Sequence, residues 1–186
     1  MEKNQTEPLR KMVYASLMAA LIAVGAYIVI PVGPVPIVLQ NLFVMLAGLL
    51  LGSRWGLAGV SVYLLAGICG LPVFAGGSGG FGRLIGPTGG YLLGYLPAVY
   101  LIGMISERSE GRVLSDVFAM IAGCLTVYIF GVSWLKLITG MTIAKSLAVG
   151  MYPFLIGDAL KIAAALSIVK TLRPFIFRHQ TSVSPA

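Results

Sequence analysis

Long apolar runs, broken by short polar or glycine-rich stretches, dominate the chain, and most are close to the length of a membrane-crossing helix. The first runs from about Met12 to Ile30, after a charged start ending in Arg10 and Lys11. It is too long for a signal-peptide core, and no small-x-small cleavage site follows, so it reads as a retained span. Pro31, Pro34 and Pro36 then impose an extended turn, because proline lacks an N–H and restrains the residue before it. A second span is expected from about Ile37 to Leu51, a tight turn at Gly52-Ser53-Arg54, and a third span from about Trp55 to Gly70. After a long glycine-rich connection come spans over about Gly89–Ile105, Val113–Ile138 and Tyr152–Leu172, the first two separated by a polar loop at Ser106–Arg112. No internal repeat or low-complexity tract stands out.

Composition agrees with this pattern. Apolar residues make up 58% of the chain, charged residues only 10%, and the mean hydropathy is +0.96. Soluble domains carry roughly a quarter charged residues, so so few charges could not cover a surface in water. The expectation is an all-α membrane protein, a compact bundle of six transmembrane helices with a long Gly-rich external loop between helices 3 and 4. It divides into an N-terminal segment (1–11), a membrane domain (12–172) and a tail (173–186), with no room for a soluble nucleotide-binding domain.

Charge placement predicts orientation, because cytoplasmic loops retain lysine and arginine. With six spans, one side collects Lys3, Arg10, Lys11, Arg54, Arg108, Arg112, Lys170, Arg173 and Arg178, while the other has Arg83, Lys136 and Lys145. Both termini are therefore expected in the cytoplasm. The net charge of +7 then reflects topology, with some attraction to anionic lipid headgroups. The basic residues are scattered over several loops, which argues against nucleic acid as a partner. Cys69 and Cys124 lie in or at the end of apolar spans without metal-ligand companions and are expected to be free, buried thiols. His179 falls in the tail as a solvated histidine, and no His/Cys cluster suggests a metal.

Two features break the apolar pattern. The first is Gly76-Gly77-Ser78-Gly79-Gly80-Phe81-Gly82-Arg83, continuing to Gly86-Pro87-Thr88-Gly89-Gly90-Tyr91. So many glycines permit close backbone approach, and the loop N–H groups are candidates to line a ligand. A merely flexible connection is the plainer reading, but Phe74, Phe81 and Arg83 are unlike linker residues, and Arg83 lies on the side otherwise poor in cations. The loop is not a P-loop, because it lacks the Gly-Lys-Ser/Thr ending and a preceding parallel sheet. Gly76 to Gly80 matches Gly-x-Ser-x-Gly, and Gly76 to Gly79 the Gly-x-Ser-Gly of rhomboid-type proteases, but Ser78 lacks a base, the sole histidine lying at the opposite face.

The second feature is Asp158 and Lys161, inside the sixth span. Charges at membrane depth face the bundle interior or a wet cavity. At i and i+3 the two share a helix face and can neutralise each other, as a structural ion pair or as an acceptor and a donor for a polar ligand. Tyr152 and Pro153 mark the outer end of this helix, on the same side as Arg83, so both features converge on an outward-facing cavity. Gln40 and Asn41 are expected to hydrogen-bond between helices or line that cavity. Tyr91, Tyr95 and Trp134 lie near outer ends, as belt or pocket residues. In the first span, Ala15, Ala19 and Ala23 form a small-residue stripe, beside Ser16 and Ala20, that suits either packing within the bundle or docking of a partner helix.

Three stretches resemble the BioY family, the biotin-specific substrate-binding subunits (S components) of energy-coupling factor (ECF) importers. They are Gly70-Leu71-Pro72-Val73-Phe74-Ala75 through the glycine-rich loop, Gly86-Pro87-Thr88-Gly89-Gly90-Tyr91-Leu92-Leu93-Gly94-Tyr95, and Tyr152-Pro153-Phe154-Leu155-Ile156-Gly157-Asp158-Ala159-Leu160-Lys161. The resemblance covers essentially the whole chain. It implies a high-affinity biotin-binding subunit in the bacterial cell membrane that is not an enzyme, carries no cofactor, and works with a transmembrane coupling subunit and two cytosolic ATPases. The alanine stripe would be part of the docking surface. Gln40, Asn41, Phe74, Ser78, Arg83, Tyr91, Tyr95, Asp158 and Lys161 are the candidate ligand residues, with Asp158 accepting ureido N–H groups and Lys161 or Arg83 pairing with the carboxylate. A self-sufficient facilitator or secondary carrier for a small carboxylate compound is the rival reading, and an intramembrane hydrolase using Ser78 a distant third.

Overall fold

The computed structural model describes residues 6–31, 33–109 and 111–181, with side chains described from residue 7 to residue 174 apart from residues 32 and 110. Lys3, Arg178 and His179, named above for topology and tail, lie outside the described side chains. The elements are α1 (Thr6–Tyr27), β1 (Val29–Ile30), β2 (Ile37–Val38), α2 (Gln40–Ile68), α3 (Gly82–Ile85), α4 (Gly89–Arg108), α5 (Val113–Thr139), α6 (Ile143–Gly150), a 3₁₀ turn (Tyr152–Phe154) and α7 (Leu155–Thr181). The protein is mostly helical, and five helical stretches are long and apolar enough to cross a membrane.

One of those stretches is folded back on itself. Gln40 Nε2 donates to the hydroxyl of Tyr63 at 2.9 Å, yet 23 residues of straight helix would separate them by about 35 Å. The reversal occurs at Gly52, with φ 77° and ψ −175°. That φ is open to glycine and strained for a residue with a Cβ, and a side chain there would also run into Glu107. Glu107 caps the turn, accepting from Ser53 N at 3.0 Å and from Ser53 Oγ at 2.8 Å. The spans expected over 37–51 and 55–70 are thus two antiparallel arms, Gln40–Leu51 and Ser53–Ile68, hinged where the Gly-Ser-Arg turn was expected.

α4 packs on α2 and α5, α1 packs on α2, and α7 leans chiefly on α2. Ile22, Met45, Leu50, Val60, Tyr63, Val99, Ile102, Met120 and Leu135 form the fully buried centre. The outside is apolar too. On α5, Leu114 (83% exposed), Phe118, Ile121, Leu125 and Ile129 recur at helical spacing on an open face, which suits hydrocarbon and not water.

Several elements differ from expectation. α1 begins at Thr6, inside the segment assigned to 1–11, and α7 continues past Leu172 to Thr181. Apolar length sets what a membrane covers, whereas charged Arg and Lys are good helix formers and carry the backbone pattern further. The proline-rich connection is clamped by a two-residue antiparallel ladder pairing Val29 with Val38 and Ile30 with Ile37. α6 was not foreseen and enters through a Thr142 cap whose hydroxyl accepts from Lys145 N. Cys124 is buried and free, but Cys69 is free and exposed, because α2 ends there and its last turn opens into the loop. Ala15 and Ala19 are 5% and 7% exposed, and the Ala15 backbone lies against Gly59 of the second α2 arm. Ala15 and Ala19 are therefore closed inside the chain and offer a partner no open surface. Ser16 and Ala20 beside it are exposed, and Ala23 is partly buried.

Gly52→Ala is expected to destabilise the protein by about 1–2 kcal/mol from backbone strain, with more from displacing Glu107. Thermal unfolding in detergent measures it, and an unchanged midpoint would contradict the hinge described here.

Candidate functional site

Beyond the ends of α2, the loop of residues 70–88 is tied down on three sides. Tyr27 of α1 donates its hydroxyl to Pro72 O at 2.5 Å, and Gly76 N donates to Ala26 O at 3.1 Å. Gly80 N donates to Gly67 O at 2.7 Å, and Trp134 of α5 donates its indole N–H to Gly86 O at 3.0 Å. The loop is therefore a built wall and no flexible linker. Its N–H groups are less available than the glycine content suggests: those of Phe74, Gly76, Gly77, Ser78, Gly80 and Arg83 all donate to carbonyls of the chain. What the loop presents is side chains and a fixed backbone contour.

Phe74 is the anchor of that wall. It is 1% exposed, its ring sits edge-on to Tyr63 with centroids 5.6 Å apart, and it occupies the space a side chain at Gly67 would need. Tyr63 in turn holds Gln40, itself 1% exposed. Tyr91 and Tyr95 descend one face of α4, and the Tyr91 hydroxyl donates to Gly150 O at 2.8 Å, fixing α6 against α4. Ser78 Oγ donates to Ala75 O at 2.9 Å and is turned towards its own loop.

α7 is built inside out. Ile156 (78% exposed) and Leu160 (69%) face outward, while Asp158 and Lys161 are 6% and 8% exposed. Lys161 Nζ donates to Asp158 Oδ1 at 3.0 Å, and Asn41 Nδ2 approaches the same oxygen at 3.4 Å. Asp158 Oδ2 accepts a short hydrogen bond from the Tyr128 hydroxyl. One carboxylate is thus met from α2, α5 and α7. Tyr128 was not among the sequence-based candidates, although a tyrosine inside an apolar span must find a partner for its hydroxyl.

These residues enclose a cavity of about 300 Å³, at the lower edge of the size of small-molecule sites, roughly 300–1,000 Å³. All nine sequence-based candidates line it: Gln40, Asn41, Phe74, Ser78, Arg83, Tyr91, Tyr95, Asp158 and Lys161. Tyr128, Phe154, Leu92, Val127 and the Pro34–Pro36 segment, none of them among the sequence-based candidates, also line it. Apolar chain and ring atoms make up the middle. Lys161 lies about two helical turns below Phe154, at the inner end, whereas Arg83 is exposed at the mouth. Lys161 uses one of its three N–H donors on Asp158, so the inner end offers both charge-balanced acceptors and spare donors.

Fold and cavity together define a multi-pass membrane protein with a small-molecule pocket at one end of a helical bundle. The chain belongs to the BioY family, whose model matches residues 1–178. It is 39% identical over 165 residues to the biotin transporter BioY of Thermotoga maritima, covering 89% of this chain and 96% of that one. It is also 39% identical over 158 residues to the probable biotin transporter BioY of Pyrococcus horikoshii, covering 85% and 93% respectively. Among solved structures, the S-component for biotin from an ECF-type ABC transporter superposes with a TM-score of 0.86 at 31% identity, covering 91% of this chain and 93% of that one. These relatives are named as transporters, and the chain is accordingly a transport protein and not an enzyme.

Asp158→Ala, which leaves the Lys161 ammonium buried without its carboxylate, is expected to cost about 3–5 kcal/mol of stability. Adding Lys161→Met should restore most of that loss. Melting of the two variants compares them, and a single variant as stable as the double would show that the pair is not buried as described.

Proposed function

We propose that this chain is the biotin-binding S component of an ECF-type importer. It takes biotin from the external side and hands it inward with a transmembrane coupling subunit and two cytosolic ATPases. The observation that carries the reading is the single cavity in which all nine candidates meet, on a chain of a family whose relatives are named biotin transporters. The likeness to the S-component of an ECF-type ABC transporter supports the proposal of coupling partners.

The membrane placement in this reading has six crossings: α1, the two arms of α2, α4, α5 and α7. Arg10, Lys11, Arg54, Lys170 and Arg173 gather round one hollow at the end opposite the cavity. The rule that cations stay inside then puts both termini in the cytoplasm and the loop of residues 70–88 outside, in a bacterial cell membrane. With Ala15 and Ala19 closed against α2, docking of the coupling subunit would use the neighbouring open face of α1, at Ser16 and Ala20, with Ala23 at its edge.

Biotin's chemistry suits the cavity from end to end. Its ureido ring has two N–H donors and a carbonyl, its thiophane and chain are apolar, and it ends in a carboxylate. Asp158 already accepts three hydrogen bonds and has room for a ureido N–H, while the free donors of Lys161 can reach the ureido carbonyl. Phe74, Tyr91, Tyr95 and Phe154 enclose the apolar middle. Arg83, at the mouth and without an ion pair among the described residues, then takes the carboxylate. The aromatic walls and the deep ion pair supply affinity and the mouth supplies charge selection.

Affinity for biotin and for its neutral amide separates these roles. Arg83→Ala should lose the preference for the acid, roughly 10–150-fold if one charge-assisted hydrogen bond is removed. Lys161→Ala should weaken acid and amide alike. Retention of the preference in Arg83→Ala, with its loss in Lys161→Ala, would reverse the orientation. Retention in both would overturn the assignment of the carboxylate.

A further inference from the structure

A second cavity, of about 900 Å³, opens at the end of the bundle opposite the first. Five cations line it, Arg10, Lys11, Arg54, Lys170 and Arg173, against two carboxylates, Glu107 and Asp116. Both carboxylates are engaged within the chain. Glu107 holds the Ser53 turn with both oxygens, and Asp116 receives Ser106 Oγ at 2.7 Å and Arg173 Nη1 at 2.8 Å. The remaining cations are held less firmly. Arg10 and Lys11 share an ion pair with the exposed Glu7 at 3.8 Å each, too long for hydrogen bonds, and Arg54 and Lys170 form no ion pair among the described residues. Arg10 Nε is buried with no acceptor among them.

Much of the wall between these cations is apolar. Tyr14, Trp55, Leu166 and Pro174 line the same hollow, so it pairs a cationic rim with an apolar side. A free inorganic anion would use the rim and leave the rest unfilled. An amphiphile with a phosphate head and an acyl chain uses both, and Trp and Tyr at this level are the side chains that favour the headgroup region. We infer that this cavity binds the headgroup of an anionic phospholipid of the inner leaflet, with its phosphate among Arg10, Lys11, Arg54 and Lys170 and its chain along α1 and α7. The inference rests on the membrane orientation proposed above, and not on the identity of the ligand in the outer cavity.

The full chain, purified in a neutral detergent, is offered phosphatidylglycerol or phosphatidylcholine, and bound lipid is counted by native mass spectrometry. Wild type should retain phosphatidylglycerol preferentially. Arg54→Gln combined with Lys170→Gln should reduce that preference by about twenty-five-fold, at about fivefold per cation. Both residues are exposed, and an unchanged melting midpoint shows that the variant is folded, whether or not it binds biotin. Equal retention of the two lipids by wild type overturns the inference, as does an unchanged preference in the folded variant. Displacement of the lipid by millimolar inorganic phosphate would show a simple anion site and overturn it too. So would a variant that keeps its lipid preference but no longer associates with an energising partner, which would make the hollow a protein-docking surface.

Discussion

A carboxylate placed at membrane depth is the constraint around which the cavity end of this protein is organised. Asp158 is 6% exposed on a helix whose neighbouring Ile156 and Leu160 face outward, and in hydrocarbon a carboxylate must be met by donors. Lys161 lies one turn away, but a lone ion pair seldom offsets the desolvation of both groups unless further hydrogen bonds join it. Asn41 and Tyr128 supply them from α2 and α5. Three helices are thereby fixed at one depth, and the aromatic residues stacked above that point, Tyr91, Tyr95, Phe74 and Phe154, have a floor to stand on.

A second ionic cluster holds the other end of the bundle, and the contrast between the two separates structure from function. Arg173 donates to Gly111 O (2.7 Å), Asp116 Oδ2 (2.8 Å), Ser106 Oγ (2.9 Å) and Leu49 O (3.3 Å). It joins α7 to α2, α4, α5 and the loop between the last two, and its fork is directed wholly into the chain. Asp158 and Lys161, by contrast, keep acceptor and donor capacity facing a hollow. A saturated cluster braces a fold; an unsaturated one bordering a cavity is available to a ligand. The same comparison sets Arg173 apart from Arg54 and Lys170 around the hollow at that end.

Much of this was legible in the sequence because a membrane makes polar residues conspicuous. Asp158, Lys161, Gln40 and Asn41 stand out in apolar runs, and the aromatic and basic residues of the glycine-rich loop marked it as more than a linker. Tyr128 was not legible, since tyrosine is also an ordinary belt residue, and only packing shows that its hydroxyl points at Asp158. Nor were the loop's hydrogen bonds: glycine content reveals what the backbone is free to do, not where its N–H groups go. The alanine stripe suited two surfaces equally well, and the burial of Ala15 against Gly59 depends on how α1 is rotated. α6 is too short, and Cys69 too close to a helix end, for apolar patterning to place them. The Gly52 turn was visible, but the tightness of the hairpin depends on Glu107, which is distant in sequence.

The central claim is that this chain, without any partner, holds biotin in the cavity floored by Asp158 and Lys161. Equilibrium titration of biotin into the purified chain in detergent tests it most directly. The account predicts saturable binding at one biotin per chain, competed by analogues that keep the ureido ring and not by simple fatty acids of similar length. An absence of saturable binding by the folded protein, or competition by fatty acids as effective as by biotin, would contradict it.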